Sequence, residues 1–282
     1  MDAPAPRSLI LDLLSTLRRG TMPVGALLEA GSLFGLAGGT IRVALARLVA
    51  SGRVERDERG CYRLGAKAAP LQATVGRWRE LDTRTIAWAG DWWGVQTGEA
   101  PPRHARGAHE QSLRLHGFRV LAPHLQVRPA NLAGGCEAVR DSLRSLGLSP
   151  GALVFRLDTL DSETDAKARA LWDTDALGAG YRDSLASLAE STHRLRELPE
   201  ADAMRESFLQ GGRVLQQLVL DPWLPDEIQD SADRRALLDA MRAYDRLGRD
   251  AWSGLLARFG VPHRGAPADA GFADRIARLT AA

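Results

Sequence analysis

The chain has 282 residues, 45% of them hydrophobic and 26% charged, with a formal net charge of +2. That length suits two or three globular domains, and the balance of residue types is that of an ordinary soluble protein. No apolar run approaches the roughly 18 residues needed to span a bilayer, and the overall charge alone demands no polyanionic partner.

The opening, MDAPAPRSLILDLLSTLRRG, carries its arginines mostly after the apolar stretch and has no small-residue cleavage signal. It reads as an amphipathic helix rather than a secretion signal, which points to the cytoplasm. Cys61 and Cys136 form no CxxC pair, so two free thiols are expected. The charge is unevenly spread: residues 1–65 hold nine arginines against six carboxylates, a surplus of three.

In chain order, Leu9, Ile10, Leu13, Leu14 and Leu17 recur at helical spacing between Arg7 and Leu17. Gly20 and Pro23 punctuate the chain, and a short second helix follows, with Val24, Leu27 and Leu28 inward, ending near Gly31. After a tight SLFGLAGG connection, a third amphipathic helix runs from Thr40 to Val49 and stops at Gly52. Two strand-like runs, Arg53–Arg56 and Tyr62–Leu64, flank a polar tip at Asp57–Gly60. Helix, helix, turn, helix and charged hairpin make the winged helix-turn-helix plan over residues 1–65. Residues 66–82 read as a partly helical linker.

From Thr83 the pattern changes. A strand-like run, TIAWAGDWWGVQT, precedes a helix over Gly107–His116, strands at Phe118–Ala122 and Leu125–Arg128, a helix from Cys136 to Leu146, and a strand, ALVFRL. This β-α-β-β-α-β order predicts a ferredoxin-like middle domain over 83–165. Residues 166–262 are helical in pattern, over Leu171–Glu197, Ala201–Leu220 and Asp233–Phe259, and 263–282 read as a frayed tail. The fold class is therefore α+β and multidomain.

Chemistry concentrates on the third helix. Ile41, Ala44, Leu45 and Leu48 form its inward stripe, which turns Gly39, Thr40, Arg42, Val43 and Ala46 outward near the helix start. A recognition helix places that end in the major groove, where arginine bonds guanine O6 and N7 and Thr or Val meets a thymine methyl. Arg42 is the leading candidate for a base contact. Arg47, nearer the inner face, suits a phosphate or an internal ion pair. In the hairpin, Arg56, Arg59 and Arg63 are candidates for backbone contacts, opposed locally by Asp57 and Glu58.

FGLAGGTIRVALARLVASGRVER followed by YRL resembles the PaaX family of repressors, named for phenylacetic acid degradation. The shared pattern is carried by Phe34, Gly35, Leu36, Arg42, Ala44, Leu45, Arg47, Leu48, Gly52, Tyr62 and Leu64. GFRVLAPHLQVRP at 117–129 is similar to the family's middle stretch. LWDTDALGAGYRDSL and LDPWLPDEI are similar to its carboxyl-terminal region. In place of the usual polar residue opening the recognition helix stand Ala37, Gly38 and Gly39. The resemblance implies a homodimer on a palindromic operator in double-stranded DNA, released by an aromatic acyl-CoA, phenylacetyl-CoA in the namesake. An acyl-CoA site needs aromatic lining and arginines, for which Trp78, Trp92, Trp93, Arg128, Trp172, Tyr181 and Trp223 are the candidates, with core packing as the competing reading of each tryptophan.

Two other classes stand beside this one. In the first, a metal-dependent nuclease would use Asp91 on the middle domain, although a hard-cation site needs further convergent carboxylates. In the second, a winged helix would serve as a protein-interaction scaffold. Asp91 sits among Trp88, Trp92 and Trp93. Neither Cys136, behind Gly134 and Gly135, nor the six histidines follow a catalytic or metal-ligand spacing, and His104, His109 and His116 read as solvated. No cofactor and no metal is expected, and no enzyme activity.

Overall fold

The computed structural model describes residues 3–15, 21–98 and 100–261. Leu17 of the first expected helix, and the expected tail at 263–282, lie outside these. The chain mixes helices with two antiparallel sheets and divides into two compact units. Among the described residues, one is built from the part of the chain up to Trp78, from Ser184–Gln217 and from 238–261, the other from the part between Arg79 and Asp183 and from Leu218–Leu237.

In the first unit, α1 (Pro6–Ser15), α2 (Val24–Leu33) and α3 (Gly38–Ala50) are followed by β2 (Val54–Arg56) and β3 (Cys61–Leu64). A two-residue strand that the sequence does not announce, β1 (Met22–Pro23), pairs with β3, giving the order β1-β3-β2. Proline fits there because an edge position needs no ladder donor. Leu9, Ile10, Leu13 and Leu14 of α1 are sealed from solvent with Ile41, Leu45 and Leu48 of α3. Each such side chain contributes about 1.5–3 kcal/mol by leaving water.

That core also takes in residues from much later in the chain. Met204 and Phe208 of α9 (Glu200–Leu220), and Trp252, Leu255 and Leu256 of α10 (Ala232–Arg258), belong to the same cluster. Phe34 meets Phe208 with ring centroids 5.1 Å apart, and the Trp252 indole donates to the Met204 carbonyl at 3.2 Å. Beside this lies a polar network on α8 (Thr174–Leu195), α9 and α10. Buried Glu206 accepts hydrogen bonds from Ser191 at 2.7 Å and from Arg194, and the Tyr244 hydroxyl lies 2.6 Å from Ser191 Oγ.

In the second unit the expected order is present as β4 (Trp92–Gln96), α5 (Arg103–Leu115), β5 (Arg119–Ala122), β6 (Leu125–Pro129), α6 (Gly135–Ser145) and β7 (Leu153–Leu157). The strands make one antiparallel sheet, β5-β6-β4-β7, with Gly94 paired to Val127 on one side and Phe155 on the other. The first strand is shorter than the run TIAWAGDWWGVQT: ahead of it only Thr85 makes a bridge, to Leu132. Period-two alternation sends Trp93 and Val95 to the face covered by α5 and α6, with Leu113, Val139 and Leu143. It sends Trp92 to the other face, with Trp88, Trp172, Leu224 and Ala168 of α7 (Ser162–Arg169). Helix α7 starts on an Asp161 cap, whose carboxylate accepts from the Thr164 amide at 2.9 Å.

His109 and His116 depart from the solvated reading, at 5% and 4% exposed. His109, Ser112, Leu113 and His116 recur at i, i+3, i+4 and i+7, so the helix carries these histidines inward. The His116 ring bridges the Ser112 carbonyl and Ser142 Oγ at 2.8 Å each, and His109 Nδ1 accepts from the Ser149 amide at 3.1 Å.

Candidate nucleic-acid interface

Helix α3 turns two different faces outward and inward. Ile41, Leu45 and Leu48 are at most 2% exposed, with Ala44 half-buried. Gly39, Thr40, Arg42, Val43, Ala46 and Arg47 are all exposed, so Arg47 belongs with the outer set. The helix opens on Ala37 in extended conformation with no side-chain cap, and its first intrahelical donor is the Ile41 amide bonding to the Ala37 carbonyl at 3.2 Å. The preceding amides face outward, as at any uncapped helix start. Between this face and the beginning of α1 runs an open groove of about 600 Å³, lined by Ala5, Pro6 and Arg7 on one side and Gly39, Val43 and Arg47 among others on the opposite one. The contribution of residues 5–7 has no periodic signal in the sequence, since it depends on how α1 crosses α3.

The hairpin divides its arginines by role. Asp57 holds the tip, its carboxylate accepting from the Arg59 and Cys61 amides at 3.0 and 2.8 Å. Arg63 faces Glu55 across the ladder and donates two hydrogen bonds to it, at 3.0 and 2.9 Å. The Arg56 guanidinium stacks 5.9 Å over the Tyr62 ring. Arg59 stands exposed at the tip.

The residues proposed from sequence for an effector are all buried, and they do not form one set. Trp78 belongs to the first unit, the other six to the second. On one sheet face Trp92 stacks on Trp172 at 6.2 Å, receives Trp88 edge-on at 5.3 Å, and donates through its indole to Asp165 at 3.0 Å. On the other face Trp93 lies 5.8 Å from the Arg128 guanidinium. Arg128 spends its donors inside the protein: on the carbonyls of His116, Pro129 and Pro222, and on Asn131 Oδ1 at 2.7 Å. Burial, followed by the nearby Arg84 charge, pushes this guanidinium down to about 9, which leaves it protonated at neutral pH. Tyr181 donates to buried Asp221, which also accepts from the Trp223 amide at 2.7 Å. Trp223 has a left-handed φ of 51°, rare for so large a residue, and the Arg234 guanidinium covers its ring at 4.9 Å.

Asp91, the foothold of the nuclease reading, is ion-paired with Arg156 at 2.8 Å. Among the described residues, no three or more of His, Cys, Asp and Glu come together as a potential metal site. No helix among them is long and apolar enough to cross a membrane, and Cys61 and Cys136 are unbonded.

Residues 5–68 match the family model described as PaaX-like protein. Over this segment the chain is similar to the PaaX-like family. The PaaX-like segment contains α1 to α3, both hairpin strands and every arginine discussed on the α3 face and hairpin. No protein of curated function matches the chain. Among solved structures it is similar to the "Uncharacterized protein Rv0674 from Mycobacterium tuberculosis", with a TM-score of 0.56 and 22% identity over 88% of this chain and 98% of that one. At that identity the likeness concerns the fold alone.

Proposed function

We propose that this protein is a PaaX-like DNA-binding transcriptional regulator, a cytoplasmic repressor of a catabolic operon. We read residues 1–65 as a winged helix-turn-helix, 66–82 as a linker, 83–165 as a ferredoxin-like domain and 166–262 as a helical domain. The observation that carries this is the outer face of α3. It presents Gly39, Thr40, Arg42, Val43 and Arg47 to solvent, while its opposite stripe is locked into the core. Two protomers set their α3 helices into successive major grooves of a palindromic operator, with half-sites about 10 bp apart or a multiple of that. Arg42 reads a base edge, and Arg59 at the hairpin tip lies along the phosphates, with Arg56 and Arg63 supporting it.

The effector is an aryl acyl-CoA. Because Trp92, Trp93, Trp172, Tyr181 and Trp223 are buried, its binding must rearrange their packing, and tryptophan fluorescence should change with it. Coupling of about 1–3 kcal/mol between effector and operator is enough for a 5- to 150-fold switch.

The test is fluorescence anisotropy of the full chain on its own promoter region, over a salt series, with and without phenylacetyl-CoA. Specific, salt-sensitive binding reversed by the thioester supports regulator and effector together. Specific binding indifferent to it retains the regulator and removes that effector. Binding no better than to random DNA overturns the regulator and favours a protein-interaction role.

A further inference from the structure

Nothing in the fold requires a glycine at position 39. A Cβ built there meets no atom within 4 Å, and its φ is not in the region that favours glycine. Alanine would suit the helix better, since glycine is among the poorest residues within a helical turn. At Gly38 beside it an added Cβ would come to 3.4 Å from the Arg42 guanidinium and 3.5 Å from Leu28, ordinary contacts both. One turn further along the same face stands Val43, a branched apolar side chain left 52% exposed, more than Val49 near the helix end at 38%, while Ile41, Leu45 and Leu48 are sealed. Gly39 and Val43 both line the groove between α3 and the start of α1. Arg47 stands exposed at its rim, and its lining contains no carboxylate.

A missing side chain, an apolar wall and a cationic rim together specify an occupant. It must approach the backbone closely, be apolar where it meets Val43, and be anionic at its flanks. In a major groove, thymine offers a methyl group at its edge, bordered by phosphates on both strands. We propose that Gly39 and Val43 form a seat for a pyrimidine 5-methyl group, so that each operator half-site carries a methylated pyrimidine opposite the first two turns of α3. The inference rests on the DNA-binding reading above and makes it specific. The same chemistry is offered by thymine and by 5-methylcytosine.

The experiment selects duplexes from a random library with the full chain, then measures affinity on the best duplex by anisotropy. Replacing the enriched thymine by uracil should weaken the native chain about fourfold, the cost of one methyl group returned to water. The same replacement should leave Val43→Ala almost unaffected. At that position cytosine should bind weakly and 5-methylcytosine should recover affinity, which separates the methyl group from the thymine O4 atom. Gly39→Ala should melt at or above the native temperature while losing at least tenfold in affinity for the selected duplex and little for random DNA.

Uracil binding equal to thymine, or Gly39→Ala binding like the native chain, overturns the methyl seat while leaving the regulator standing. The second result is also what a small apolar ligand in the groove would produce. A library with no enriched sequence overturns the regulator reading and the seat with it.

Discussion

The α3 face and the centre of the second unit are built from similar parts, arginine set against apolar side chains, and they end in opposite states. Around Arg128 every named donor meets a carbonyl or Asn131, and Trp93 lies beside the guanidinium. On α3, Arg42 and Arg47 stay in solvent beside an exposed valine and a glycine that the fold does not need. Structural arginines and functional ones separate on this ground. Burial exposes a chain's own demands, since an unsatisfied buried cation is costly, whereas an exposed apolar-cationic face leaves its interactions to a partner.

Removing the buried cation should have the largest effect: Arg128→Met leaves three carbonyls and Asn131 without that donor, and at about 1–3 kcal/mol for each buried acceptor left unsatisfied it should cost several kcal/mol in urea denaturation. A loss below about 1 kcal/mol would mean the network is not holding the sheet to residues 222–223.

Next is Glu206→Gln, expected to cost about 1.5–3 kcal/mol at neutral pH, as for hydrogen bonds to a charged group. Burial pushes the Glu206 carboxyl up, but the Ser191 hydroxyl and the Arg194 guanidinium outweigh it and hold it below its ordinary value. A depressed carboxylate stabilises the fold above its unfolded value, near 4.3, and loses that contribution as pH falls through the lower folded value. The gap between native chain and variant should therefore be constant above about pH 5 and close below about pH 4 in pH-dependent denaturation.

Arg42→Ala should leave the melting temperature unchanged and remove about 1–3 kcal/mol of discrimination between operator and random DNA. Equal loss on both DNAs would make Arg42 a phosphate contact. Arg59→Ala, the smallest change, should weaken all duplexes alike by a few-fold and make the salt slope shallower by about 0.9. If Arg42→Ala destabilises the protein instead, the two kinds of arginine are not distinct.

Much of this is legible in the sequence. The stripe Ile41, Leu45, Leu48 assigns the two faces of α3, and alternating strands with two helices give the order of the second unit. Other signals are present but weaker. Trp92 and Trp93 are adjacent on a strand, so they must point to opposite faces and cannot share one pocket. Asp161, three residues before Thr164, marks the start of α7. The inward spacing of His109 and His116 was masked by their polarity. Nothing local announces β1, which exists only because β3 passes beside Met22, or the wall that Ala5 and Pro6 give to the groove.

The family match ends at residue 68, but the hydrophobic core beneath it does not. Phe259 packs so closely on Gly25 that an added Cβ would lie 2.8 Å from its ring, and Arg258 reaches Glu29 across 229 residues. During synthesis the ribosome releases α1 to α3 long before α9 and α10 exist. The nascent segment must then wait with its Phe34 side uncovered, holding an incomplete interior until nearly the whole chain has emerged. A gene fragment cut at the family boundary would inherit that waiting state permanently, so a soluble reading head made from this chain should carry α9 and α10 with it.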